Sequence, residues 1–430
     1  MESLELNTSG KIVVNGPQTA KGDIYISGSK NAVLPIMAAC LLTDEKITLD
    51  NVPDLADVST MIDILESAGK VVDRIEDKLI ITSTSLEDFE IPYEPVRKMR
   101  ASFNVFGPLT IKMKKAKVAL PGGCSIGVRP VNFHLEGLKK LGIESKIEHG
   151  FALSKFNGAE KEVNISLKFP SVGATEHIIT TATLIYGTKT IISNCAMEPE
   201  ISDLIDFLNA MGADIIGKNT STITINGVDK LHGLNYRVIP DRIEAGTYAI
   251  MGALIGDNLT IHNICYDDLR ILFSTFDDIG INYELNKEEK TLKISKIKNN
   301  NLNNVILKTE PYPGFPTDLQ PQISVLLSLI KGKSTITETI FKSRFNHIDE
   351  LNRMGANIRL EDNTAIIDGV DKLTGAPIEA TDLRASAALL IAGLLAEGET
   401  IISNVDHIFR GYEKLEEKLN KMGLKMTYID

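Results

Sequence analysis

Apolar and polar residues follow one another along this chain in a pattern that returns six times. An amphipathic run at helical spacing ends in a glycine and passes into an extended run: "LESAGKVV", "LKKLGIES", "LNAMGADII", "FDDIGINY", "LNRMGANI" and "LNKMGLKM". The terminal glycines, Gly69, Gly142, Gly212, Gly280, Gly355 and Gly423, recur at intervals of 68 to 75 residues. A glycine in that place predicts a left-handed helix stop with a strand after it. A second run also recurs once per unit, as "NAVLPIMAACLL", "ASFNVFGPL", "EHIITTATLIYG", "GTYAIMGALIG", "LQPQISVLLSLIKG" and "ASAALLIAGLLAEG". Most of these are apolar nearly all round, which predicts buried helices. Strands such as "TIISNC" and "LTIHNI" follow them.

Each repeat thus reads as a small α/β module whose apolar helix points to a centre, and three modules close around one centre. A chain of 430 residues is too long for one ordinary core, so six modules predict two domains. Residues 22–241 form the first, and residues 1–21 with 242–430 the second. "RVIPDRIEAG" is the crossing, and the first strand, "KIVVNG", is left to complete the second domain.

A formal net charge of -11 argues against a general nucleic-acid or membrane-surface binder, so any anionic ligand must be caught by a local cluster. Glu2 and Glu5 stand where a secretory signal would need a basic start and an apolar run. The longest apolar stretch, "ASAALLIAGLLA", is too short to span a bilayer. Four cysteines and seven histidines show no metal-ligand spacing. The expectation is a cytoplasmic protein with reduced thiols and no metal.

Basic residues stand where helices begin, a place that disfavours them unless an anion is near. Lys30 lies in "SGSKNAVLP", Arg100 in "MRASFNVF" and Arg384 in "TDLRASAAL"; Arg129, Arg344 and Arg410 hold equivalent places before outer helices. Singly each is a solvated or ion-paired side chain. Together they predict a cleft between the two domains that binds something with several negative charges. Asp57, Glu198, Glu200 and Asp241 occupy matching sites and are read as ion-pair partners. Asp318 follows the turn "PYPGFPT" and opens a buried helix, where a carboxylate can cap the helix and face a substrate hydroxyl.

Cys40, Cys195 and Cys265 sit in or beside apolar segments and behave as small hydrophobes. Cys124, in "LPGGCSIGVRP", follows two glycines that let the backbone turn tightly, with Arg129 near enough to lower its pKa. A nucleophilic hydrolase with His134 as base stays open at this point.

With "SGSKNAVLPI", "MRAS", "LPGGCSIGVRPV", "SVGAT", "EPEI", "PDRIEAGT", "FPTDLQ", "RFNHIDELNRMGA", "TDLRAS" and "RGYE" in this order, essentially the whole chain resembles the enolpyruvyl transferases that act on UDP-N-acetylglucosamine. The resemblance implies a two-domain inside-out α/β barrel, three repeated units per domain, with helices buried and sheets outward. It implies transfer of the enolpyruvyl group of phosphoenolpyruvate to the sugar 3-hydroxyl through a tetrahedral intermediate, with no cofactor and no metal. Lys30 and Asn31, with Arg129, Arg384 and Arg410, match the family's phosphoenolpyruvate site. Arg100, the segment Arg129, Pro130, Val131, Asn132 and Phe133, the backbone at Ser171, Val172 and Gly173, and Asp318 and Ile340 match the sugar-nucleotide site. Cys124 matches the residue that adds to phosphoenolpyruvate, donates a proton and is alkylated by fosfomycin. Asp318 matches the base. Asp57, Glu198, Asp241, Arg344 and Asp382 are supporting residues.

Three positions depart from the family pattern: Phe409 where an acidic residue is common, Met197 where a basic one is usual, and Phe169–Pro170 where some members carry a lysine. They bear on the charge around Arg410, the pairing near Glu198 and the hold on the diphosphate. The alternatives are the sister enzyme that uses shikimate 3-phosphate and a non-catalytic paralogue that binds the sugar nucleotide. Neither reading involves nucleic acid or membrane.

Overall fold

The computed structural model describes residues 10–83, 90–122, 131–297 and 302–429. They fall into two compact units, one holding the described residues from Gly28 to Pro240, the other those before Gly28 and from Asp241 onward. The first contains α1 (Lys30–Ala39), α2 (Ala56–Ser67), α3 (Tyr93–Lys98), α4 (Phe106–Met113), α5 (Asn132–Lys140), α6 (Val172–Ala182) and α7 (Pro199–Ala210). The second contains α8 (Arg242–Ile255), α9 (Arg270–Ile279), α10 (Gln320–Leu327), α11 (His347–Arg353), α12 (Leu383–Leu395) and α13 (Leu415–Lys421).

The described residues form six four-stranded sheets, each with one parallel pairing followed by two antiparallel ones. One sheet runs Glu162–Ser166, Lys189–Ser193, Thr222–Asn226, Asp214–Ile216. Its parallel pair is joined through α6, as a parallel crossover demands, and α7 then leads into the hairpin. In Thr222–Asn226, Ile223 and Ile225 are buried while Thr222 and Asn226 are exposed, so one face of the sheet lies on the helices. The apolar helices have no exposed stripe: Ala174 to Ala182 of α6 are all buried, as are Arg384 to Leu394 of α12. Helices α8, α10 and α12 pack on one another at the centre of their unit. Each unit is therefore an inside-out α/β barrel of three repeated modules.

All six terminal glycines have positive φ, between 75° and 102°, the left-handed geometry that closes a helix and that a side chain would strain. Strands distant in sequence complete both units. Asn235–Arg237 pairs in parallel with Ile47–Asp50, and Asp23–Tyr25 with Leu259–His262. Lys11–Gly16 lies antiparallel between Gly398–Ser403 and Thr427–Ile429. One helix differs from the sequence reading. "ASFNVFGPL" is not a single α-helix: Arg100–Val105 is a 3-10 segment, and α4 begins only at Phe106. Pro108 has no N–H for the carbonyl of Asn104, so the α-helix starts late enough to hold Pro108 in its first turn.

The chain leaves its first strands at Ser27, which a buried ionic network holds. Ser27 N–H donates to Glu244 Oε2 at 2.8 Å, Ser27 Oγ donates to Glu413, and Lys418 donates to Ser27 Oγ at 2.7 Å and to Glu244 Oε1. Glu244 is 2% exposed. Removing only the cation should leave that carboxylate buried without its counter-charge. Lys418→Met is expected to cost about 3–5 kcal/mol in urea unfolding, and Lys418→Met with Glu244→Gln to regain most of it. Equal losses in the single and double variants would show that the ion pair is not the stabilising element.

Candidate functional site

In the unit of Gly28 to Pro240, helix starts carry the chemistry. Ser29 caps α1, its Oγ accepting from Ala32 N–H at 3.3 Å, and Lys30 is the first helical residue. A cation there opposes the helix dipole. Asp57, in the first turn of α2, answers it at 3.3 Å from Lys30 Nζ, with both side chains almost buried. Asn31 follows on the same turn. Ser171 caps α6, accepting from Ala174 N–H at 3.4 Å, so Val172 and Gly173 form that helix's first turn. Glu198 occupies the N-cap position of α7, with Pro199 after it and Glu200 in the first turn, where a carboxylate is favoured. Arg100 opens the 3-10 segment.

Beneath these starts lies Glu176, whose Oε2 accepts from Asn104 Nδ2 at 2.9 Å. Burial pushes its carboxyl up to about 8 against the pull of that bond, and the charges of Glu200 and Glu198 add to the rise. Val131 stands at the N-cap position of α5, with Asn132 and Phe133 in its first turn. Cys124, Arg129 and Pro130 lie outside the described residues. His134 is buried and bonded to His177, and burial, with Arg100 adding to it, lowers its pKa to about 3. That leaves little of the basicity a hydrolase reading needs.

In the other unit Asp318 sits at the middle of a tight cluster. Arg344 donates to Asp318 Oδ1 at 2.6 Å and to Thr317 Oγ1 at 3.1 Å. Arg384 donates to Asp318 Oδ2 through Nε at 3.2 Å and through its terminal nitrogen at 2.9 Å, and reaches Tyr412 Oη at 3.4 Å. Burial by itself raises the Asp318 carboxyl, but the two guanidinium groups outweigh it and hold the acid well below the usual range. The helix cap expected of Asp318 is not made: α10 begins after Leu319 with no side-chain cap, because both carboxylate oxygens are already engaged. Asp382 does cap α12, accepting from Arg384 and Ala385 N–H, and Asp241 caps α8 through Ile243 and Glu244 N–H. Arg410 ends the 3-10 turn Val405–Arg410.

Two supports escaped the sequence reading. Glu338, fully buried, accepts from Thr309 Oγ1 and Thr317 Oγ1, both at 2.8 Å, and from the N–H groups of Ile340 and Phe341. One carboxylate thereby fixes the turn before Asp318 against the turn holding Ile340. Its only mark in sequence is a charge between Thr337 and Thr339 at a strand end, and its two side-chain partners lie 29 and 21 residues back along the chain. Tyr412 Oη meets Thr247 Oγ1 at 2.9 Å and accepts from Gln322 Nε2 at 3.3 Å, which fixes it beside Arg384.

Of the departures, Phe409 packs edge-on against Tyr428 at 5.5 Å, and Phe169 is partly exposed before the Ser171 cap. Among the described residues no three side chains gather as a metal site requires, and no helix is long and apolar enough to cross a membrane.

An acid whose pKa is lower folded than unfolded adds stability above its unfolded value, near 4, and loses it as pH falls below that. Stability should therefore drop steeply below about pH 4. Asp318→Asn is expected to be less stable at pH 7 and to show a shallower fall between pH 4.5 and pH 2.5, read by chemical unfolding at each pH. Parallel curves would mean that Asp318 is not held low by its arginines.

Comparison with known proteins places this geometry. The family model of EPSP synthase (3-phosphoshikimate 1-carboxyvinyltransferase) matches residues 14–419. A UDP-N-acetylglucosamine 1-carboxyvinyltransferase from Thermotoga petrophila is 53% identical over 98% of this chain and 99% of its own length. The protein of that name from Thermotoga maritima is 52% identical over the same shares. Among solved structures, the enolpyruvyl transferase NikO from Streptomyces tendae superposes with a TM-score of 0.89 at 22% identity, covering 98% of this chain and 99% of that one, which shows the shared fold. The chain belongs to the UDP-N-acetylglucosamine 1-carboxyvinyltransferase family of enolpyruvyl transferases.

Proposed function

We propose that this chain transfers the enolpyruvyl group of phosphoenolpyruvate to the 3-hydroxyl of UDP-N-acetylglucosamine, releasing phosphate, as a cytoplasmic step in peptidoglycan precursor synthesis. The observation that carries the reading is the Asp318 carboxylate held between Arg344 and Arg384, on a chain matched end to end by relatives of that name. A carboxylate paired with two arginines is a weak base. An anionic substrate that takes up the Arg384 guanidinium weakens that pairing, and the proton affinity of Asp318 rises as the substrate arrives. The base is thus strengthened only when there is something to deprotonate against.

The steps then balance. Asp318 takes the 3-hydroxyl proton as the sugar oxygen bonds to the central carbon of phosphoenolpyruvate, while Cys124 gives a proton to the methylene carbon. The tetrahedral adduct then returns a proton from the new methyl group to the Cys124 thiolate and breaks the bond from its central carbon to the phosphate oxygen, while Asp318 passes its proton to the departing phosphate, leaving the enol ether and phosphate. Lys30, Arg129, Arg384 and Arg410 supply fixed positive charge for the carboxylate and phosphate. Asn31 joins Lys30 on phosphoenolpyruvate. Arg100, residues 129–133, the first turn of α6 and Ile340 hold the sugar nucleotide, with Asp57, Glu198, Asp241, Arg344 and Asp382 setting the basic groups in place.

Phosphate release from phosphoenolpyruvate, measured with each acceptor in turn, tests the reading. UDP-N-acetylglucosamine should support turnover and shikimate 3-phosphate should not; the reverse would transfer the chain to the sister reaction. Asp318→Asn should lower turnover by about 10²–10⁴-fold while calorimetry still detects sugar-nucleotide binding. Near-normal turnover would remove Asp318 from the role of base.

Cys124 is tested by fosfomycin, an epoxide that needs a reactive thiol. Burial pushes the Cys40 and Cys195 thiols up to about 12 and that of Cys265 to about 11, which leaves all three almost wholly protonated at neutral pH. Mass spectrometry should find the adduct on Cys124, and Cys124→Ser should lose both the adduct and most turnover. An adduct on any other cysteine would refute the assignment.

A further inference from the structure

We propose that His134 and His177 form a fixed imidazole relay that presents the His134 Nε2–H to the diphosphate of a uridine nucleotide at the first turn of α6. The inference rests on the substrate reading above and adds His134 as a binding donor and His177 as its positioning residue.

The relay starts from an unsatisfied amide. Gly107 is the second residue of α4, so its N–H has no acceptor within the helix. It donates to His177 Nε2 at 2.7 Å. A neutral ring whose Nε2 accepts carries its proton on Nδ1. That Nδ1 lies 2.9 Å from His134 Nδ1, which must accept, so the proton of His134 stands on Nε2. The rings are 0% and 5% exposed, and burial keeps both neutral. Phe103 meets both edge-on, at 5.6 and 5.7 Å.

The packing leaves room for these rings and little else. A Cβ on Gly107 would lie 1.9 Å from Thr181 Oγ1 and 2.7 Å from His177 Nε2, and one on Gly137 would lie 2.3 Å from Ile178 Cδ1, blocking α5 from α6. At the far end, His134 Cε1 and Nε2 stand 3.2 and 3.4 Å from the Cβ position of Gly173, the second residue of α6. None of the described residues accepts from His134 Nε2. A donor on a buried residue thus joins the first-turn amides of α6, a combination suited to phosphate oxygens. The donor is neutral, so it adds direction without a further charge.

The test labels histidine with ¹⁵N and uses UDP as the probe, with His134→Gln and His177→Gln assigning the signals. Free protein should show His177 protonated on Nδ1 and His134 on Nε2. UDP should shift the His134 Nε2 signal and leave the His177 tautomer unchanged. His177→Leu should raise KM for UDP-N-acetylglucosamine about tenfold with kcat within about twofold. His177→Gln, whose carboxamide also carries one acceptor and one donor, should recover part of that loss. Opposite tautomers, or an unshifted His134 when calorimetry shows UDP bound, would overturn the relay and leave the substrate reading standing. Failure of both UDP and UDP-N-acetylglucosamine to bind would overturn both.

Discussion

A helix that is apolar on every side must be enclosed on every side, and most of this architecture follows from that demand. No single four-stranded sheet can cover α8, α10 or α12 alone, so three modules share one centre and the sheets become the outer wall. Polar groups inside such a core need partners, and many find them near the helix ends, in caps and ion pairs. Lys30 with Asp57 and Asp382 beneath Arg384 are of this kind. Charge gathers at helix starts because a first turn leaves amides unpaired there.

The same demand explains what could be read from sequence. The glycine stops and the apolar runs are local, written within a dozen residues, so the repeat, its six helix pairs and the two-domain count were legible. The basic residues at helix starts were legible too, because a cation in a first turn contradicts local preference and calls for a reason. Glu338 was not legible, since its four partners come from three separate segments and each looks ordinary alone. Asp318 was half legible. Its place before α10 suggested a cap, but Arg344 and Arg384, brought in from α11's approach and from α12, compete for both oxygens and win.

Charge in these clusters acts on reactivity as much as on stability. Asp318 is a partly buried carboxyl group and Glu176 a buried one, yet the first is driven down by two cations and the second up to about 8 by burial among other acids. The difference comes entirely from neighbours. Either group can be re-tuned by a ligand that brings or removes one charge, which is how a stable core can also respond to what it binds.

The placing of Lys11–Gly16 between Gly398–Ser403 and Thr427–Ile429 bears on how the chain is made. On a ribosome adding ~5–20 residues per second, this strand emerges long before its two neighbours and waits roughly tens of seconds for them. The strands that enclose α1, α4 and α6 are all available once Asn235–Arg237 has emerged, well before Gly398–Ser403 and Thr427–Ile429. One barrel can thus close during translation while the other must wait for its last strand. Until then Lys11–Gly16 stays unpaired, an open strand that could pair with another chain's edge.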